Sequence, residues 1–147
     1  MAQVIAYQTD VGVSVVYPTG EVSFDTVVQK DVPSGAAYKI IDQSELPSDR
    51  DFRGAWVFDN GVKIDLKKAK DLFKQKIRSV REPLLAKLDI DFQRALESNS
   101  DTTEIVSKKN ALRDATSDPA ISSATTVKKL KSIWNEDLLG PNPYTLG

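Results

Sequence analysis

Five basic side chains, Lys67, Lys70, Lys74, Arg78 and Arg81, recur at intervals of three and four residues. On a helix of about 3.6 residues per turn, that spacing lines them along one face. Such a row can dock an acidic partner or bind phosphate. It also fits a solvated face, or one that pairs with the acidic half of the same chain. No aromatic side chains are interleaved with it, so stacking on single-stranded nucleic acid is disfavoured. Trp56 and Trp134 are the other candidates for partner binding, because tryptophan is enriched where interfaces bind most strongly. Each also fits a core position: Trp56 lies between Ala55 and Val57, and Trp134 follows Val127 and Leu130 at helical spacing.

Other kinds of chemistry find little support. The chain has no histidine and no cysteine. That excludes Ser-His-Asp and Cys-His catalysis, zinc sites built on those residues, disulfides and thiol redox chemistry. Asp89 and Asp91 are two apart on a predicted helix and face different ways, while Asp49 and Asp51 flank Arg50 in a loop. A glycosidase needs two acids about 5–9.5 Å apart across a cleft, and no spacing here selects such a pair. Calcium-loop and phosphate-loop motifs are absent. The expectation is therefore a protein that is not an enzyme, with no catalytic, cofactor-binding or metal-ligating residues.

The net charge of −1 favours neither nucleic acid nor a membrane surface. No apolar run approaches the ~20 residues needed to cross a bilayer, and residues 1–5 do not read as the start of a secretory signal.

Charge and pattern both change near residue 65. Residues 1–65 carry ten acidic and five basic side chains; residues 66–147 carry eleven and fifteen. The first part predicts a β-rich α+β head with a four- or five-stranded antiparallel sheet and one short helix. Its marks are a hairpin over residues 3–17, a helix capped by Ser23 and ended before Pro33, a strand at Tyr38–Ile41, and a hairpin turned by Asn60-Gly61 in a type I′ turn.

From Leu66 to Ala95 apolar residues recur every 3.6 residues on average, predicting one long helix capped by Asp65 and kinked or broken at Pro83. Asp101 and Glu104 suggest a capping box that starts an antiparallel second helix. Asp118-Pro119 ends that helix, and Thr125 or Thr126 caps a short third one. The divisions are thus residues 1–65, a helical hairpin plus short helix over 66–139, and an extended tail over 140–147. A helix this long facing a shorter one leaves apolar surface for the head or another chain to cover.

Several stretches carry a resemblance. They are Val32-Pro33-Ser34-Gly35, Tyr38-Lys39-Ile40-Ile41-Asp42, Ser44-Glu45-Leu46-Pro47 and Asp51-Phe52-Arg53-Gly54-Ala55-Trp56. The helical half adds Arg81 to Leu96, Leu112 to Ile121 and Leu130 to Trp134. This pattern, spanning residues 1 to about 138, resembles small proteins encoded among the tail genes of tailed bacteriophages. The resemblance implies a non-enzymatic structural or adaptor protein that binds tail fibre, hub or neighbouring tail proteins in the virion. Its alternative is a transient tail-fibre assembly chaperone absent from the mature particle. It places the chain in the virion tail, or in the host cytoplasm during assembly, and suggests homo-oligomers that follow the trimeric symmetry of fibres. It brings no catalytic residues with it.

Overall fold

The computed structural model describes residues 2–144, which form an α+β protein with an N-terminal antiparallel sheet, a long helix and shorter helices. The chain divides into two compact units, Met1–Ala69 and Lys70–Gly147. Thr145 to Gly147, the end of the expected tail, lie outside the described residues.

In the first unit, strands β1 (Gln3–Thr9), β2 (Gly12–Val16) and β3 (Tyr38–Asp42) form a sheet in the order β2-β1-β3, antiparallel throughout. Among the described residues, strands β4 (Trp56–Phe58) and β5 (Val62–Ile64) pair only with each other. The expected sheet of four or five strands is therefore a sheet of three and a separate hairpin. The reason lies in β1. Val4, Ile5 and Ala6 are consecutive and all buried, so both faces of the central strand are apolar and both need cover.

Helix α1 (Phe24–Asp31) supplies one layer, with Val27 and Val28 packing with Ile5, Val16 and Ile40. The β4–β5 hairpin supplies the other. Trp56, Phe58, Val62 and Ile64 pack with Val4, Ala6, Ile41, Val13 and Val15. Used as a lid, the hairpin cannot also extend the sheet.

Local signals act largely as the residues dictate. The Ser23 hydroxyl accepts from the Thr26 amide, and the helix ends with the Val32 amide on the Val28 carbonyl, just before Pro33. The β4–β5 turn differs from the expected two-residue type. Phe58 sits opposite Val62, leaving Asp59, Asn60 and Gly61 as a three-residue loop. Asn60 and Gly61 still provide its positive φ angles, 50° and 135°. Gly12 has φ 154°, and a Cβ there would lie 3.1 Å from the Trp56 carbonyl oxygen, so a side chain at residue 12 would crowd the lid.

Helix α2 (Leu66–Glu97) is continuous over 32 residues. Asp65 caps it, accepting from the amides of Lys67 and Lys68. At its other end Asn99 takes φ 54° and the Ser100 amide reaches the Ala95 carbonyl, a left-handed stop.

Pro83 lies inside the helix, so of the kink or break expected there the break does not occur. It removes the bond that residue 83 would donate to the Ser79 carbonyl, and its side chain is exposed. Pro83→Ala is therefore expected to stabilise the protein by about 1–3 kcal/mol. Thermal unfolding followed by circular dichroism checks this; a lowered midpoint would mean that packing requires the proline.

In the second unit α2 is followed by α3 (Thr103–Asp114), α4 (Pro119–Ser123), α5 (Val127–Ser132) and α6 (Glu136–Leu139). The expected capping box at α3 is absent. Asp101 accepts from the Thr103 amide and hydroxyl, and Glu104 pairs with Lys108 instead of turning back. Those bonds hold the Asp101 carboxyl below its ordinary value of 3.8, the Thr103 hydroxyl contributing most. A capping box does occur at the 3-10 turn after β3, between Asp42 and Glu45.

Helices α4 and α6 went unread in the sequence. Asp118 caps α4 with Pro119 in its first turn, so this pair starts a helix as well as following one. Thr126 caps α5, and Asn135 caps α6.

Candidate interaction surface

The five basic residues of α2 do not form one free row. The Lys70 ammonium donates to the Ser122 carbonyl at 2.8 Å. The Arg81 guanidinium donates to the Leu112 and Arg113 carbonyls at 3.2 and 2.9 Å, with Thr116 Oγ1 at 3.5 Å. Arg81 thus sits on the C-terminal end of α3, where carbonyls lack helical partners and the helix dipole favours a cation. Lys67 and Arg78 are exposed and Lys74 is half-buried. Two members of the row are internal ties, and three remain on or near the surface. The spacing identified the face correctly as a helix face; it carried no sign of the carbonyls waiting opposite it.

Both tryptophans are interior. Trp56 is 0% exposed, with the Arg50 and Arg53 guanidiniums 5.4 and 5.3 Å from its ring centre. Trp134 is 6% exposed and meets Phe73 and Tyr144, both edge-on with ring centres 6.1 Å away. Phe73 and Tyr144 stack on each other at 5.7 Å. The Trp134 indole N–H donates to the Gly140 carbonyl, and the Asn142 amide donates to the Lys131 carbonyl. Residues 140–144, though irregular, return onto this aromatic cluster. Neither tryptophan is presented to a partner by this fold.

A cleft of about 530 Å³ opens beside Trp134. Phe73, Ile77, Ile133 and Leu139 line it, with Asp114 and Asp118 at its margin. Asp118 is committed to the α4 amide at Ala120. Among the described residues no three acidic side chains converge as a metal site would require. The cleft can hold an apolar group.

The α2–α3 pair is the more distinctive surface. Lys109 of α3 pairs with Asp89 of α2, and its ammonium lies 5.1 Å over the Phe92 ring. With Arg81 holding residues 112 and 113, these contacts run the helices antiparallel. Sequence reading missed Lys109, which looks like any solvated lysine until the partner helix faces it.

Between Ile77 and Ala95, α2 buries none of its residues. Val80, Leu84, Leu85, Leu88 and Phe92 are half-buried, and Ile90 is 55% exposed. Near the hairpin tip Leu96 is 55% exposed and Val106 39%. Two helices alone cover only one side of each other's apolar residues, so this arm keeps an uncovered apolar surface.

Among the described residues no helix is long and apolar enough to cross a membrane. No family model matches the chain, and no curated protein or solved structure does so either.

Proposed function

We propose that this chain is a non-enzymatic structural or adaptor protein of a bacteriophage tail, docking through its helical arm onto a fibre, hub or neighbouring tail protein. The observation that carries the reading is the arm from Arg78 to Arg94, whose apolar residues stay half-covered while Ile77 and Ala95 at its ends are buried. A surface of this kind suits permanent packing against another chain. The resemblance to small tail-encoded proteins supplies the setting, as a likeness of pattern. Exposed Lys67 and Arg78 lie on the same helix and favour an acidic partner surface.

Quantitative mass spectrometry of purified particles against infected lysate tests this reading. A fixed ratio to a tail protein supports it. Abundance in lysate with absence from particles overturns it in favour of a transient fibre-assembly chaperone.

A further inference from the structure

The turn between β4 and β5 joins Asn60 directly to Gly61, and no other asparagine in the sequence is followed by glycine. An asparagine side chain can be attacked at its carbonyl carbon, Cγ, by the backbone nitrogen of the next residue. That nitrogen is a poor nucleophile until it loses its proton, and a side chain on its own residue shields the approach. Glycine removes the shield. At Gly61 the space is open, since a Cβ built there would meet nothing within 4 Å. Asn60 is exposed and Gly61 half-buried. The Gly61 carbonyl accepts from the Asp59 amide at 3.0 Å, yet among the described residues the Gly61 amide has no acceptor of its own. Among the same residues Asn60 is bonded only through its backbone carbonyl, so its side chain is not held.

Lys39 supplies activation. Its ammonium, on β3, donates to the Asn60 backbone carbonyl at 3.2 Å. That carbonyl belongs to the same peptide unit as the Gly61 nitrogen. When the nitrogen loses its proton, amide resonance shares the negative charge with the carbonyl oxygen. A cation on that oxygen therefore favours the deprotonated form. The adjacent Asp59 carboxylate is paired with Lys63 at 3.0 Å, which lessens its opposing charge. The other asparagines lack this combination. The amide after Asn99 donates to the Ala95 carbonyl, and the amide after Asn110 lies within α3. The Asn135 side chain is held by the Leu138 amide. Asn142 is followed by Pro143, which has no N–H.

We propose that Asn60 is a site of intramolecular deamidation, promoted by Lys39. Hydroxide or water takes the Gly61 amide proton. The nitrogen bonds to Asn60 Cγ, and the side-chain nitrogen leaves as ammonia, closing a succinimide ring. Water then opens the ring at either carbonyl, giving an aspartyl or an isoaspartyl residue. The sum is asparagine and water going to the acid and ammonia, and nothing is oxidised or reduced. Either product adds a carboxylate to the turn of the β4–β5 lid, and the isoaspartyl product also adds one carbon to its main chain. The proposal does not rest on the phage-tail reading.

Incubation of the full chain in heavy-oxygen water, followed by peptide mapping with mass spectrometry, tests it. The ring-opening water carries the label, so conversion during incubation is distinguished from conversion during digestion. In the wild-type chain the label is expected at residue 60 before Asn99, Asn110, Asn135 or Asn142, with aspartyl and isoaspartyl products both present. Lys39→Met should slow conversion at residue 60 by about fivefold, the effect of removing one unit charge about 4 Å away in water. Lys39→Arg keeps the cation and should convert at a rate near that of the wild type. Circular dichroism confirms that each variant is folded; if Lys39→Met is not, Lys39→Gln replaces it, and the wild-type map decides the site without any variant. Labelling first at another asparagine, no label at residue 60, or equal rates with and without the Lys39 cation overturns the proposal. So does a product that is aspartyl alone, because direct hydrolysis without the ring gives no isoaspartyl residue.

Discussion

Trp134→Ala is expected to destabilise the helical unit by about 3–5 kcal/mol. The substitution removes a buried ring that meets both Phe73 and Tyr144 edge-on. It also removes the indole donor to Gly140, and with it a tie that folds residues 140–144 back onto the unit. Single domains are stable by only about 5–15 kcal/mol, so the loss is a large share of the whole. Denaturant unfolding followed by far-ultraviolet circular dichroism measures it without relying on the lost fluorophore. A cost below about 1 kcal/mol would mean that the three-ring cluster does not organise this unit.

Trp56→Ala is expected to cost as much in the first unit, about 3–5 kcal/mol, because Trp56 joins the β4–β5 lid to the sheet. The phenylalanine variants separate the two tryptophans. The Trp56 indole nitrogen is buried and has no hydrogen-bond partner among the described residues. Leaving a buried donor unpaired costs about 1–3 kcal/mol, so Trp56→Phe removes that penalty along with some apolar volume and should be mild. Trp134→Phe does the reverse, leaving the Gly140 carbonyl without its donor. Denaturant unfolding of the pair should rank Trp134→Phe as the more damaging. Equal costs would contradict the assignment of the indole bonds.

The legible parts of the fold were those fixed by near neighbours in the chain. Ser23, Asp65 and Thr126 act as caps, and Asn60 and Gly61 turn a hairpin, because each effect is settled within a few residues. The failures came where a distant segment decides. Whether β4 and β5 extend the sheet or cover it depends on β1 being apolar on both faces, as Val4-Ile5-Ala6 are. Asp101 and Glu104 have capping-box spacing, yet Thr103 and Lys108 offered nearer partners. Pro83 is carried within the unbroken α2, where propensity alone favours a break.

The surface was legible in outline. The apolar period of α2 showed that more apolar side chain was available than the shorter helix could cover. The basic row was harder to read, because Lys70 and Arg81 bind carbonyls of residues more than thirty positions away. A carbonyl leaves no trace in residue type.

The most direct test of the proposed docking role is the copy number of an arm variant in purified particles. Ile90→Asp, Leu96→Asp and Val106→Asp together change three apolar residues that are 55%, 55% and 39% exposed. The triple variant is expected to keep a wild-type circular dichroism spectrum while its incorporation, counted by quantitative mass spectrometry, falls at least about tenfold, the loss expected when roughly 1.4 kcal/mol of docking energy is removed. Incorporation at the wild-type copy number would contradict docking through the arm.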